Sequence, residues 1–130
     1  AIHPGSHGES TMKSPGFYST FWIVARIVGS SLTVPIAEEL AFRGFLTRRL
    51  IASDISKVKP GTFTWTSFIV SSLAFGALHS RFLEGSLAGM LFAVAYYRRG
   101  SIGDACVAHA TTNAMLSVEA LTTGDWTLWS

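Results

Sequence analysis

Charge is what this sequence is short of. Of its 130 residues, 10 are Lys or Arg and 8 are Asp or Glu, 14% together. A soluble domain carries about 25%. With 48% apolar residues and a mean hydropathy of +0.37, a chain this small cannot hide its greasy surface inside itself. A membrane protein is the expectation, and a soluble helical binding module the rival. A net charge of +2, carried by scattered basic pairs, excludes a nucleic-acid partner. Cys106 stands alone, which rules out an internal disulfide framework or a multi-thiolate metal site; it reads as a small buried hydrophobe. No run alternates cleanly and no hairpin turn signal appears, so strands are not expected. Internal repeats and secretory signals are absent too.

What is present is helical. Residues 1–16, rich in Gly, Pro and Ser, read as a disordered leader in which His3 and His7 have no scaffold to align them. The start at Ala1 rather than Met suggests a piece of a longer protein. Five helices are expected over residues 17–122, followed by a tail at 123–130. The first runs from Phe17 to about Val34, apolar apart from Arg26, and Pro35 opens the second, which ends near Ala52. After a polar link, Ser53 to Gly61, come Thr62–His79, Phe82–Tyr97 and Ile102 to about Leu121. Each is close to the roughly 20 residues that span a bilayer. The fold class is therefore all-α, a polytopic membrane bundle. Gly85 and Gly89 offer a close helix approach. Arg98-Arg99-Gly100 makes a basic stop with a glycine cap. Arg48, Arg49, Lys57 and Lys59 in one link and Arg98 with Arg99 in another mark one side, cytoplasmic by the positive-inside rule. Trp65, Trp126 and Trp129 suit the membrane boundary.

Against that background the polar groups stand out. Glu38 and Glu39, a quarter of all the acids, lie in the apolar run Pro35-Ile36-Ala37-Glu38-Glu39-Leu40-Ala41-Phe42-Arg43. Burying two adjacent carboxylates is costly and calls for chemistry as the reason. Glu39 and Arg43 are spaced i, i+4 for a helical ion pair. Glu38, rotated about 100° away, has no partner on its own helix and is the better candidate base. His79 ends the third helix, while His109 and Asn113 share one face of the fifth. Taken singly, each is more simply a satisfied interior group; the set of four resists that account.

The ordered set Glu-Glu-x-x-x-Arg (38, 39, 43), Phe-x-x-x-His (75, 79) and His-x-x-x-Asn (109, 113) resembles the CAAX protease and bacteriocin-processing family. These intramembrane proteases, also called the Abi family, include the type II CAAX prenyl endopeptidases. The segment Val34-Pro35-Ile36-Ala37-Glu38-Glu39 further resembles the exosortase-associated branch. Family members have several more membrane helices, so the resemblance implies an incomplete domain.

It also implies an activity. Glu38 with His79 would activate a water, and His109 with Asn113 would stabilise the oxyanion. Arg43 and Glu39 would hold the second helix in place. The implied protein is an intramembrane endopeptidase of the bacterial plasma membrane, in contact with the lipid bilayer. It cuts near the C-terminus of a membrane-associated, prenylated or exosortase-sorted substrate. No cofactor is required on this reading. The alternative is a zinc site of Glu38, His79 and His109 with an open water position, though the usual His-Glu-x-x-His helix is lacking. The rival functions are a non-proteolytic scaffold or immunity protein of the same fold, and a proton-coupled transporter using the same intramembrane Glu and His groups.

Overall fold

In the computed structural model, residues 16–127 are described. Residues 1–15 of the expected leader, with His3 and His7, and Trp129 of the tail lie outside them. Four helices rather than five form the described residues, with no strand. The first, α1, is continuous: α-helical pieces Phe17–Val28, Val34–Glu39 and Thr47–Arg49 are joined by π-helical pieces Gly29–Thr33 and Leu40–Leu46. After a 3-10 turn at Ile55–Lys57 follow α2 (Trp65–Ala77), α3 (Phe82–Arg99) and α4 (Ile102–Thr123).

Pro35 explains the merger of the two expected helices. A proline inside a helix removes an N–H and usually kinks or breaks it. Here the chain widens first: the Val34 N–H reaches back five residues, to the Gly29 carbonyl. That π register passes over the Ser30 carbonyl, and Pro35 has no N–H to offer it. Asn113 of α4 supplies the missing donor, Nδ2 to Ser30 O at 2.6 Å. The second π piece shows the same pattern. The Thr47 N–H goes to Phe42 O, and the Thr47 hydroxyl donates to the bypassed Arg43 carbonyl at 3.0 Å. The result is an apolar helix long enough to cross a bilayer, Ser19–Arg49, 31 residues and about 46 Å at 1.5 Å per residue.

Helix ends follow local chemistry. The Thr64 and Ser101 side chains accept N–H groups of the first turns of α2 and α4. Gly100 ends α3 with φ 64°, the left-handed cap expected after Arg98 and Arg99. In the polar link, the hydroxyl and N–H of Ser56 bond Asp54 and hold its carboxyl below the usual range. Arg48, one of the basic residues that flank this link, clamps it through the carbonyls of Ile55 (2.6 Å) and Val58 (3.0 Å).

The core is small and aromatic. Phe42, Phe75 and Phe92 meet edge to face, with centroids 5.3 and 5.8 Å apart. Many large apolar side chains point outward instead, among them Phe21, Leu83, Leu87, Leu91, Val107 and Met115. In water that surface is unfavourable; facing lipid tails it costs nothing, and packing must then come from small residues and internal hydrogen bonds. Ser67, Ser71, Ser72, Ser86 and Ser117 are buried accordingly. The α2–α3 crossing is so close that a Cβ on Gly76 would lie 2.0 Å from Ser86 Oγ and 2.7 Å from the Phe82 carbonyl. Gly85 and Gly89 face α2 across it, as their spacing suggests.

Candidate active site

Glu39 and Arg43 come from the middle of α1, and both are fully buried. Their ion pair closes at 3.1 Å, one helical turn apart. Arg43 also donates to the Gly89 carbonyl of α3 and lies over the Phe75 ring, 5.1 Å from its centroid. These contacts compensate a guanidinium that would otherwise be prohibitive at this depth. They also fasten α1 to the α2–α3 hairpin.

His109 enters from α4. Its ring stacks on Phe92 at 4.5 Å and 16°, and its Nδ1 meets Glu39 Oε1 at 2.9 Å. Its other nitrogen, Nε2, stands 3.8 Å from Glu38 Oε2. One imidazole is thus flanked by both carboxylates of the Glu-Glu pair. Glu38 differs from Glu39 as the sequence spacing suggests. It has no intrahelical ion pair, and its Oε2, shut off from solvent, accepts no hydrogen bond.

His79 caps α2 from the other side of Phe75. Its ring centroid lies 4.8 Å from that of Phe75, while His109 sits at 5.5 Å. Its Nδ1 bonds the Phe75 carbonyl at 2.9 Å. A carbonyl only accepts, so Nδ1 carries the proton and Nε2 is left as the acceptor of the neutral ring. A cavity of about 490 Å³ is lined by His79, His109, Asn113, Phe75, Phe92 and neighbouring residues. Glu38 is not in that lining; it adjoins the cavity through His109. Its carboxylate and His79 are farther apart than the 4 Å of an ion pair. One N–H of Asn113 is committed to Ser30, leaving the second N–H and the carbonyl.

Among the described residues, no three His, Cys, Asp or Glu side chains gather closely enough to hold a metal ion. What sequence reasoning missed is the pairing of Glu39 with His109 across 70 positions, for which no local signal exists. Glu39 is thus more than a partner for Arg43.

The sequence model of the family described as Type II CAAX prenyl endopeptidase Rce1-like matches residues 20–115. The chain belongs to this family, whose members are integral membrane proteins of protease type acting on peptide or protein substrates. No curated protein and no solved structure matches it.

Proposed function

We propose that the chain forms the catalytic core of an intramembrane endopeptidase that hydrolyses a peptide bond near the C-terminus of a membrane-associated substrate. The observation that carries this reading is the placement of His109, held by Glu39 and facing Glu38, at the wall of a cavity that His79 and Asn113 also line. Glu38 takes a proton from water, with His79 Nε2 as the second acceptor. The hydroxide attacks the peptide carbonyl, and its oxygen becomes an oxyanion. His109 Nε2, to which Glu38 hands that proton across 3.8 Å, and the second N–H of Asn113 stabilise that charge at the cavity wall. The proton gathered by the acid–base groups passes to the departing amine. No metal is assigned a step.

The family supports a prenylated chain end as substrate. The Val34-to-Glu39 match supports an exosortase-sorted tail in a bacterial plasma membrane. Full-length protein in liposomes, given each peptide class, tests the reading by product mass. Cleavage of one class that persists under chelator fits the proposal. Proton flux without cleavage points to a transporter, and partner binding without either points to a scaffold.

A further inference from the structure

The two ends of the bundle carry opposite charge. α1 and α3 run toward one end and α2 and α4 away from it, so the polar link and the α3–α4 turn share that end. Six cations stand there, Arg48, Arg49, Lys57, Lys59, Arg98 and Arg99, against two carboxylates, Asp54 and Asp104. The opposite end holds Arg26 and Arg81 against Glu84, Glu119 and Asp125. Both acids of the basic end are already engaged. Asp54 accepts from Ser56, and Asp104 accepts two bonds from Arg99 at 2.7 and 2.8 Å. Asp104 also lies within electrostatic reach of Arg98. Arg48 is committed to carbonyls of the link. Among the described residues, no carboxylate forms an ion pair with Arg49, Lys57, Lys59 or Arg98.

The fold gathers these cations on one rim. Val58 is buried, and Lys57 and Lys59 on either side of it turn outward and are exposed. The Gly61 N–H donates to the Tyr96 hydroxyl at 2.7 Å, and a Cβ on Gly61 would lie 2.6 Å from Gly100 Cα. The link therefore rests on the end of α3, with Lys59 two residues before Gly61 and Arg98 two before Gly100. An aromatic patch adjoins the rim. Phe63 meets Trp65 and Tyr97 edge to face, each at 5.1 Å, and Trp65 is 71% exposed. Cations without a carboxylate partner attract anionic headgroups, and amphipathic rings favour the depth just below them. We infer that this rim binds anionic phospholipid: Lys57, Lys59 and Arg98 hold the headgroup phosphate, and the Phe63–Trp65–Tyr97 patch lies along the glycerol and upper acyl carbons. A soluble anion would leave that patch without a role. Lipid binding at this end does not depend on the endopeptidase reading.

Full-length protein in non-ionic detergent is titrated with phosphatidylglycerol or phosphatidylcholine of the same acyl chains, and bound lipid is counted by native mass spectrometry. Phosphatidylglycerol should bind about fivefold or more tightly, with the preference shrinking as salt rises. Lys59→Gln and Arg98→Gln should each weaken phosphatidylglycerol by up to about fivefold and leave phosphatidylcholine unchanged. Lys59→Arg and Arg98→Lys keep the charge and should keep the preference, which separates lost charge from lost folding. Trp65→Ala should weaken both lipids alike, and Arg81→Gln, at the opposite end, should change neither. Equal binding of the two lipids, or a preference untouched by Lys59→Gln and Arg98→Gln, overturns the inference and leaves the rim a topology signal. An equal loss in Arg81→Gln overturns it by reducing the effect to net charge. Glycerol phosphate that displaces the lipid at matching concentration also overturns it, assigning the cations to a soluble anion.

Discussion

His109 holds Glu39 through Nδ1 at 2.9 Å and turns Nε2 toward Glu38 at 3.8 Å. The first contact fixes the ring, so that the second nitrogen has a defined task. Replacing Glu39 by Gln keeps an acceptor for Nδ1 but removes the charge that also serves Arg43. Cleavage should fall, and the melting temperature in detergent with it. Because His109 and Arg43 share this one carboxylate, Glu39→Gln and His109→Gln should be strongly non-additive in a double-mutant cycle.

Arg43 is the tie between α1 and the rest of the bundle. Arg43→Ala leaves Glu39 buried opposite only His109 and frees the Gly89 carbonyl. Losing one partner of a buried pair costs about 3–5 kcal/mol. Denaturant or thermal unfolding of the full-length protein should show a loss of that size. Arg43→Lys should recover only part of it, since an ammonium cannot serve Glu39, Gly89 and the Phe75 face together.

The Asn113–Ser30 bond compensates for Pro35. Asn113→Ala should cost about 0.5–1.5 kcal/mol, because the part-buried Ser30 carbonyl at the cavity wall loses its side-chain donor. Pro35→Ala restores a backbone N–H within reach of that carbonyl. The cost of Asn113→Ala on stability should therefore shrink in the Pro35→Ala background, while any loss of cleavage remains. Equal stability losses in both backgrounds would mean that the π piece does not depend on Asn113.

Gly76 tests the hairpin. A Cβ there meets Ser86 Oγ at 2.0 Å and the Phe82 carbonyl at 2.7 Å. Backbone has to move, and overpacking of this kind costs about 1–3 kcal/mol. Gly76→Ala should lower the unfolding midpoint, and Ser86→Ala combined with it should return only the side-chain share.

Much of this was legible in the sequence, for physical reasons that differ by residue. The Glu39–Arg43 pair and the Gly100 cap are local, fixed by spacings within one helix or its end. The bundle class follows from composition, and the outward Leu83, Leu87 and Leu91 agree with it. Pro35 misleads because its cost depends on the backbone upstream: two π pieces let one helix continue where a break is the default. The Glu39–His109 bond and the clamp of Arg48 on the link depend on tertiary placement, which no periodicity encodes. Nor does spacing reveal that Glu38 reaches the cavity by way of His109 rather than lining it.

The most direct measurement is the turnover of a prenylated C-terminal peptide by full-length protein, comparing Glu38 with Glu38→Gln in the same bilayer. The account predicts that wild type cuts the peptide and that the variant, folded and still binding substrate, loses a factor of about 10²–10⁴ or more in kcat. A variant that cuts within about tenfold of wild type would contradict it, since no other carboxylate beside His109 is free to take the proton from water.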